Sequence, residues 1–323
     1  MTGKNLRIVF FGTPDFATAQ LDALVQGGYN VVAVVTMPDK QAGRGLKVIH
    51  SSVKQYALQN NLPLLQPADL KDENFIRQLS SLNVDLQIVV AFRMLPRIVY
   101  AMPRLGTFNL HASLLPLYRG AAPINWAIIN GEKQTGLTTF LLNDRMDEGE
   151  IILQQSIAIN PDDNFGSLHD RMMKEGRNLV KETVNVIAKG NFKTLLQNSQ
   201  TKPQSLAPKI YKNTTIIDWN QNGEKIIDFI RGLSPSPCAI SYFFDKKDEK
   251  EHLFKVFEAR FFMKSDKKNT GIFSISPEKE ILVSCLDGEI QLLDLQLSGK
   301  RRMKSEEFLR GWKSTNNLIT IKK

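Results

Sequence analysis

The chain has 323 residues, 42% of them hydrophobic and 23% charged, the balance of an ordinary globular protein, and at this length a single core usually splits into two domains. No apolar run approaches the ~18 residues of a membrane-spanning helix, and Met1-Thr2-Gly3-Lys4-Asn5-Leu6-Arg7 carries no signal-peptide cleavage pattern. Cys238 and Cys285 stand far apart with no ligand-like spacing, so a cytoplasmic protein without a metal is expected.

Taken in order, residues 6–11 read as a buried strand closed by Gly12-Thr13-Pro14, and Thr13 or Asp15 can cap a helix over 16–26 that Gly27-Gly28 ends. A second strand is expected over 30–36, a helix near 53–60, a short strand over 62–65, a helix near 72–82 and a strand over 86–91. Strands alternating with helices at this spacing predict a parallel, doubly wound α/β sheet. Further strands over 106–112 and 136–142 and an amphipathic helix over 169–188 complete it. Residues 190–209 are polar and aperiodic, as in a linker. Beyond a helix near 223–232, short runs at 239–244, 253–262, 271–276, 280–285 and 289–297 predict a small β-barrel, OB-like in kind. The expected organisation is an α/β catalytic domain (1–189), a linker (190–207) and a C-terminal β-barrel domain (208–323).

The formal net charge is +9, and it is unevenly spread. Residues 1–207 carry 21 basic and 17 acidic side chains, whereas 208–323 carry 21 and 16 in little more than half the length. Each basic cluster (Lys246-Lys247, Lys267-Lys268, Lys300-Arg301-Arg302) reads as solvated surface by itself, but the asymmetry favours an anionic partner such as nucleic acid. The first turn, Phe11-Gly12-Thr13-Pro14-Asp15, lacks the glycines of a dinucleotide fingerprint, and no Walker lysine occurs, which argues against a dehydrogenase or an NTPase. The glycine-containing stretch 37–47 is either a surface loop or an arm in which Arg44 and Lys47 reach a phosphate backbone.

Residues 108–120, Phe-Asn-Leu-His-Ala-Ser-Leu-Leu-Pro-Leu-Tyr-Arg-Gly, carry the chemistry. If the segment is extended, Asn109, His111 and Ser113 share one face. An imidazole beside an amide able to stabilise an oxyanion is a kit for acyl transfer, although a core histidine is the plainer alternative. Asp147, in the turn Asp144-Arg145-Met146-Asp147-Glu148-Gly149, can orient the ring; His50, His169 and His252 stand alone.

These segments, together with Pro38-Asp39-Lys40-Gln41-Ala42-Gly43-Arg44-Gly45, Tyr118-Arg119-Gly120-Ala121-Ala122-Pro123-Ile124-Asn125-Trp126, Leu206-Ala207-Pro208-Lys209-Ile210 and Ile230-Arg231-Gly232-Leu233-Ser234-Pro235, resemble the formyltransferases that use 10-formyltetrahydrofolate, and within them the branch acting on charged tRNA. The resemblance implies a Rossmann-like domain followed by a barrel. It implies transfer of a formyl group from 10-formyltetrahydrofolate to the α-amino group of methionine on initiator methionyl-tRNA; separately, a monomer is expected. Asn109, His111 and Asp147 fall on the family's catalytic triplet. Ser113, Leu114, Leu115 and Pro116 fall on the segment that contacts the folate donor, as do Phe92 and Arg93, where the family often has Tyr-Gly. Arg44, Lys47, Lys209, Arg301 and Arg302 are the expected tRNA contacts. Pro237-Cys238 stands where the family more often has Pro-Gly. A folate-dependent transferase acting on a small amine, such as glycinamide ribonucleotide or an amino sugar nucleotide, would need the same triplet but no basic barrel. A non-catalytic tRNA binder would need the barrel but no triplet.

Overall fold

The computed structural model describes residues 2–42, 47–190, 192–197, 205–245, 250–264, 269–311 and 318–320. In chain order the elements are β1 (Ile8–Gly12), α1 (Asp15–Gln26), β2 (Val31–Val35), β3 (Lys40–Ala42), β4 (Lys47–Ile49), α2 (Ser52–Gln59), β5 (Leu64–Leu65), α3 (Glu73–Ser81), β6 (Leu86–Val90), α4 (Arg97–Tyr100), β7 (Thr107–His111) and β8 (Arg119–Gly120). There follow α5 (Pro123–Ile129), β9 (Gln134–Leu141), β10 (Ile151–Ala158), α6 (Phe165–Lys189), β11 (Leu206–Ala207) and α7 (Gly223–Leu233). The chain ends with β12 (Ala239–Asp245), β13 (Lys250–Met263), β14 (Phe273–Ile275), β15 (Ile281–Cys285), β16 (Gly288–Leu297), β17 (Met303–Lys304), α8 (Ser305–Gly311) and β18 (Leu318–Thr320). Two compact units result. One holds Met1–Gly120, Thr135–Ala158 and His169–Leu206, and the other Ala121–Gln134, Ile159–Leu168 and Ala207–Lys323.

The first unit is built on a seven-stranded sheet in the order β10-β9-β7-β6-β1-β2-β5. Strands β5, β2, β1, β6 and β7 run parallel. On one face Val9, Phe11, Ala33, Val35 and Val89 pack with Phe75 and Leu79 of α3 and Val99 of α4. On the other, α1 and α6 lie so close that a Cβ on Gly176 would sit 3.1 Å from a Leu110 methyl, and Gln20 Nε2 donates to the Met173 carbonyl at 3.0 Å. Covered on both faces, β1 and β6 are buried at every residue, which is why both are almost wholly apolar in the sequence; the exception, Gln87 in β6, is buried and accepts from the Thr107 hydroxyl at 3.0 Å.

Three features of this unit depart from the sequence reading. The strand expected over 136–142 forms as β9 but pairs antiparallel with β7. A parallel strand would need a helix crossing the face of this sheet, and the intervening helix, α5, belongs to the other unit. Strand β10 was not expected, because its Gln154-Gln155-Ser156 centre breaks the apolar run; it lies at the sheet edge, where polar side chains reach water. Residues 40–42 and 47–49 form an antiparallel hairpin rather than a loop, with Ala42 opposite Lys47. Arg44, which falls between them in sequence, lies outside the described residues.

In the second unit α5 packs on α7, where Gly232 leaves no room for a side chain: a Cβ there would meet Ile129 Cγ1 at 2.6 Å. Asn125 Nδ2 donates to the Gly232 carbonyl at 2.8 Å. This pairing explains why 121–134 groups with the C-terminal part of the chain instead of with its sequence neighbours. The sheet, β14-β15-β16-β13-β12-β18 with β17 on β16, is antiparallel throughout. Its edge strands β14 and β18 approach one another, so the sheet curls into a half-barrel around Trp219, Phe243, Phe254, Phe273, Val283 and Leu292. The helix and five strands expected here form within a few residues of their expected bounds, while β17, α8 and β18 were not expected.

Ser51 caps α2 by accepting from Lys54 N at 3.0 Å, and its hydroxyl also contacts that of Thr36 at 2.8 Å. Ser51→Ala should lower unfolding stability by about 1 kcal/mol, read as a shift of the urea midpoint; an unchanged midpoint would dismiss the cap.

Candidate active site

Parallel strands put their C-terminal ends on one edge, and the strand order reverses between β1 and β6, the position at which open α/β sheets build sites. Side chains alternate along β7, so Thr107, Asn109 and His111 share one face, and Phe108 and Leu110 the other. Asn109 and His111 are thus brought together as expected. Ser113 is not. The strand ends at His111, and the Ser113 side chain is fully buried with its hydroxyl donating to the Leu117 carbonyl at 2.6 Å. It shapes the turn that follows the strand.

The His111 ring is 7% exposed, and its Nε2 lies 2.9 Å from the Tyr118 carbonyl. A carbonyl oxygen can only accept, so Nε2 carries the proton and the neutral ring has its lone pair on Nδ1. Nδ1 faces Asp147 Oδ2 across 4.0 Å, beyond hydrogen-bond length. The sequence suggested that Asp147 holds the ring directly. In the structure the Tyr118 carbonyl holds it, and Asp147 Oδ2 instead accepts from Gly120 N at 3.0 Å. Asp147 itself has φ 54°, a conformation that costs a non-glycine residue about 1–2 kcal/mol. Gly120 has φ 125°, which only glycine adopts readily. The carboxylate turn also rests against β9: Leu141 N donates to Glu150 O at 2.9 Å, and a Cβ on Gly149 would overlap the Leu141 carbonyl, 1.5 Å away.

Residues 113–116 are fastened from below by β9 and β10. Thr138 Oγ1 donates to Ser113 O at 2.6 Å and accepts from Leu115 N at 3.1 Å. Gln154 Nε2 donates to Leu115 O at 2.9 Å. Leu115 is buried with Phe140 and Ile151, and Leu114 packs where a Gly136 side chain would be. In the loop after β6, Phe92 makes an edge contact with Phe11 at 5.7 Å. Arg93 folds back: Nη1 donates to Ala68 O at 2.8 Å and Nη2 to Pro67 O at 2.6 Å. Two buried polar atoms here have no partner, Asn109 Oδ1 and Arg93 Nε. The fold therefore leaves hydrogen-bonding capacity unused beside β6 and β7 that a bound molecule can take up.

Of the expected basic contacts, Lys209 is exposed, with its ammonium 5.5 Å from the Tyr211 ring centroid. Arg301 pairs with Glu307. Arg302 makes two 3.0 Å bonds to the buried Asp294 carboxylate and lies 4.1 Å over the Phe257 ring, so its charge is largely spent within the fold. Lys47 is placed by its backbone in β4, and Lys246, Lys247, Lys267 and Lys268 lie outside the described residues. The sequence reading missed Tyr118, Gly120, Thr138, Gln154 and Gln197 as parts of the site. The first two act through backbone atoms, which no residue type announces. Among the described residues no group of three or more metal-ligating side chains occurs, and no helix is long and apolar enough to cross a membrane.

Comparison with known proteins matches residues 6–184 to the formyl transferase family and 209–313 to the formyl transferase C-terminal domain. Methionyl-tRNA formyltransferase of Bacteroides fragilis is 52% identical over 317 residues, covering 98% of each chain. That of Flavobacterium johnsoniae is 51% identical over 308 residues, covering 95% of this chain and 96% of its own. Among solved structures, the sugar 3N-formyl transferase WlaRD superposes with a TM-score of 0.61 at 18% identity, covering 92% of this chain and 99% of that one. HypX from Aquifex aeolicus in complex with tetrahydrofolic acid gives 0.61 at 17% identity, over 99% of this chain and 51% of that one. These two share the fold.

Because Gly149 has no space for a methyl group, Gly149→Ala should displace the Asp147 turn. The expected cost is about 1–3 kcal/mol of stability and roughly 100-fold in turnover. A variant with wild-type turnover would show that the turn tolerates the shift.

Proposed function

The chain belongs to the formyl transferase family, and from that premise we infer that it transfers a formyl group from 10-formyltetrahydrofolate to the α-amino group of methionine on initiator methionyl-tRNA. Full-length identity of about half to methionyl-tRNA formyltransferases carries this conclusion. It prevails over the small-amine alternative, since the solved sugar-amine transferase shares only the fold. No metal is used.

The reaction forms a C–N bond between the amine and the formyl carbon and breaks the bond from that carbon to the folate nitrogen. One proton leaves the amine and one reaches the departing nitrogen. We assign that traffic to His111 Nδ1, the ring nitrogen whose lone pair the fold leaves free. The 4.0 Å gap to Asp147 leaves the lone pair open to a substrate proton, and the carboxylate then faces the imidazolium that forms. Asn109 is assigned to the developing oxyanion. Its buried Oδ1 has no partner, and half a turn of the amide presents N–H at the same place. The donor supplies the activated formyl group, and Phe92, Arg93 and Ser113 to Pro116 would hold it. Donor and acceptor need only be held side by side, so no covalent bond to the protein is required.

For the acceptor we assign contact to Arg44, Lys47, Lys209 and Arg301, with Arg302 contributing least because Asp294 already neutralises it. The reading places the protein in the cytoplasm, acting as a monomer.

Formyl incorporation into charged initiator tRNA, with 10-formyltetrahydrofolate as donor and small amines as control acceptors, tests the whole assignment. Formylation of the small amines alone would overturn the tRNA reading. Asn109→Ala should lower kcat by roughly 10²–10³-fold, and His111→Ala by at least about 10²-fold; a folded His111→Ala variant with wild-type kcat would remove the histidine from the proton path.

Binding supplies a further check. Neutralising Lys209 should weaken tRNA binding and reduce its salt slope by about 1, whereas Arg302→Gln should chiefly lower stability. The reverse pattern would exchange their roles.

A further inference from the structure

The segment that reads as linker delivers a side chain into the site. Residues 192–197 lie along the outer edge of the first unit's sheet, where Leu195 and Ile151 exchange backbone hydrogen bonds of 2.8 and 2.9 Å and the Thr194 hydroxyl donates to Glu150. This places the Gln197 amide over the carboxylate turn. Its Nε2 donates to the carbonyls of Asp147 at 2.9 Å and Gly149 at 2.8 Å. Its Oε1 accepts from Arg119 Nε at 3.0 Å and Nη2 at 2.7 Å. Arg119, 11% exposed, also reaches Glu148 through Nη1 at 3.0 Å.

We propose that Gln197, clamped by Arg119, is a positioning residue that fixes the turn carrying Asp147 and so sets the gap between Asp147 and His111. Two donors and two acceptor sites are all that a primary amide offers, and here every one is used. The chemistry demands that residue type: a carboxylate cannot donate to the two carbonyls, and an ammonium cannot accept from Arg119. The turn needs such a fastening, because Asp147 is held at φ 54°, a conformation that persists only where surroundings impose it. The same turn is gripped on its other side by Gly120 N, adjacent in sequence to Arg119. The clamp thus joins the segment after His111 to the turn of Asp147 through one amide.

This inference rests on the role given to Asp147 above, and the experiment separates the two. Steady-state formyl transfer is measured for Gln197→Ala, Gln197→Glu, Asp147→Ala and the double variant Gln197→Ala/Asp147→Ala, with thermal midpoints as the check on folding. Gln197→Ala should lower kcat by roughly 10- to 100-fold, leave KM for tRNA and donor within about twofold, and move the midpoint by no more than about 4 °C. Gln197→Glu, which keeps the bonds to Arg119 but loses both donations, should be no better than alanine. In the Asp147→Ala background, removing Gln197 should cost nothing further. A wild-type kcat in Gln197→Ala beside a collapsed Asp147→Ala would overturn the clamp alone. Losses that multiply in the double variant, or a raised KM at unchanged kcat, would also overturn it. Wild-type kcat in Asp147→Ala would overturn both the clamp and the role of Asp147.

Discussion

The absence of a side chain at Gly149 lets the carboxylate turn lie directly on β9, with the Leu141 carbonyl where a methyl group would stand. That close approach sets the height of Asp147 above the sheet. The Asp147 carboxylate then meets Gly120 N, and Gly120 follows Tyr118, whose carbonyl fixes the His111 ring. Each partner is a backbone atom at the end of a short chain of contacts, so small displacements of the turn are passed on undiminished. Close-packed interiors behave in this way, because they have little free volume to absorb strain.

The sheet that supports these contacts was legible from the sequence where both faces are covered. Buried on both sides, β1 and β2 appear as unbroken apolar runs and β6 as one interrupted only by Gln87, and Asn109 and His111 declare themselves by two-residue alternation. Legibility fails where polarity has a local purpose. In β10, Gln154 fastens Leu115 and Gln155 pairs with Glu175, so a strand reads as a loop. Ser113 has the spacing of a third active-site group, but the strand ends two residues earlier and its hydroxyl closes a turn. Gln197 stands in a polar stretch that matches a linker in composition, and only its four hydrogen bonds distinguish it.

The second unit shows the same contrast. The alternation of Phe254 and Val256 inward with Lys255 outward marks β13 plainly. The register shift around Phe257, where the Arg302 guanidinium stacks, has no sequence signal. Cys238 is equally opaque. It occupies φ 80°, a region that suits glycine far better than a residue with a side chain. Its thiol is buried against the Val256 carbonyl and pushed up to about 11 by that burial, so it behaves as core rather than as a reactive group.

The path of residues 192–197 has a consequence for how the protein comes into being. When a nascent chain has emerged as far as Lys189, all seven strands of the main sheet and the three residues Asn109, His111 and Asp147 have already been made. The amide that steadies Asp147 has not. Synthesis of the sheet and synthesis of the amide that completes the site are therefore separate events during translation, the second coming eight residues beyond the end of α6.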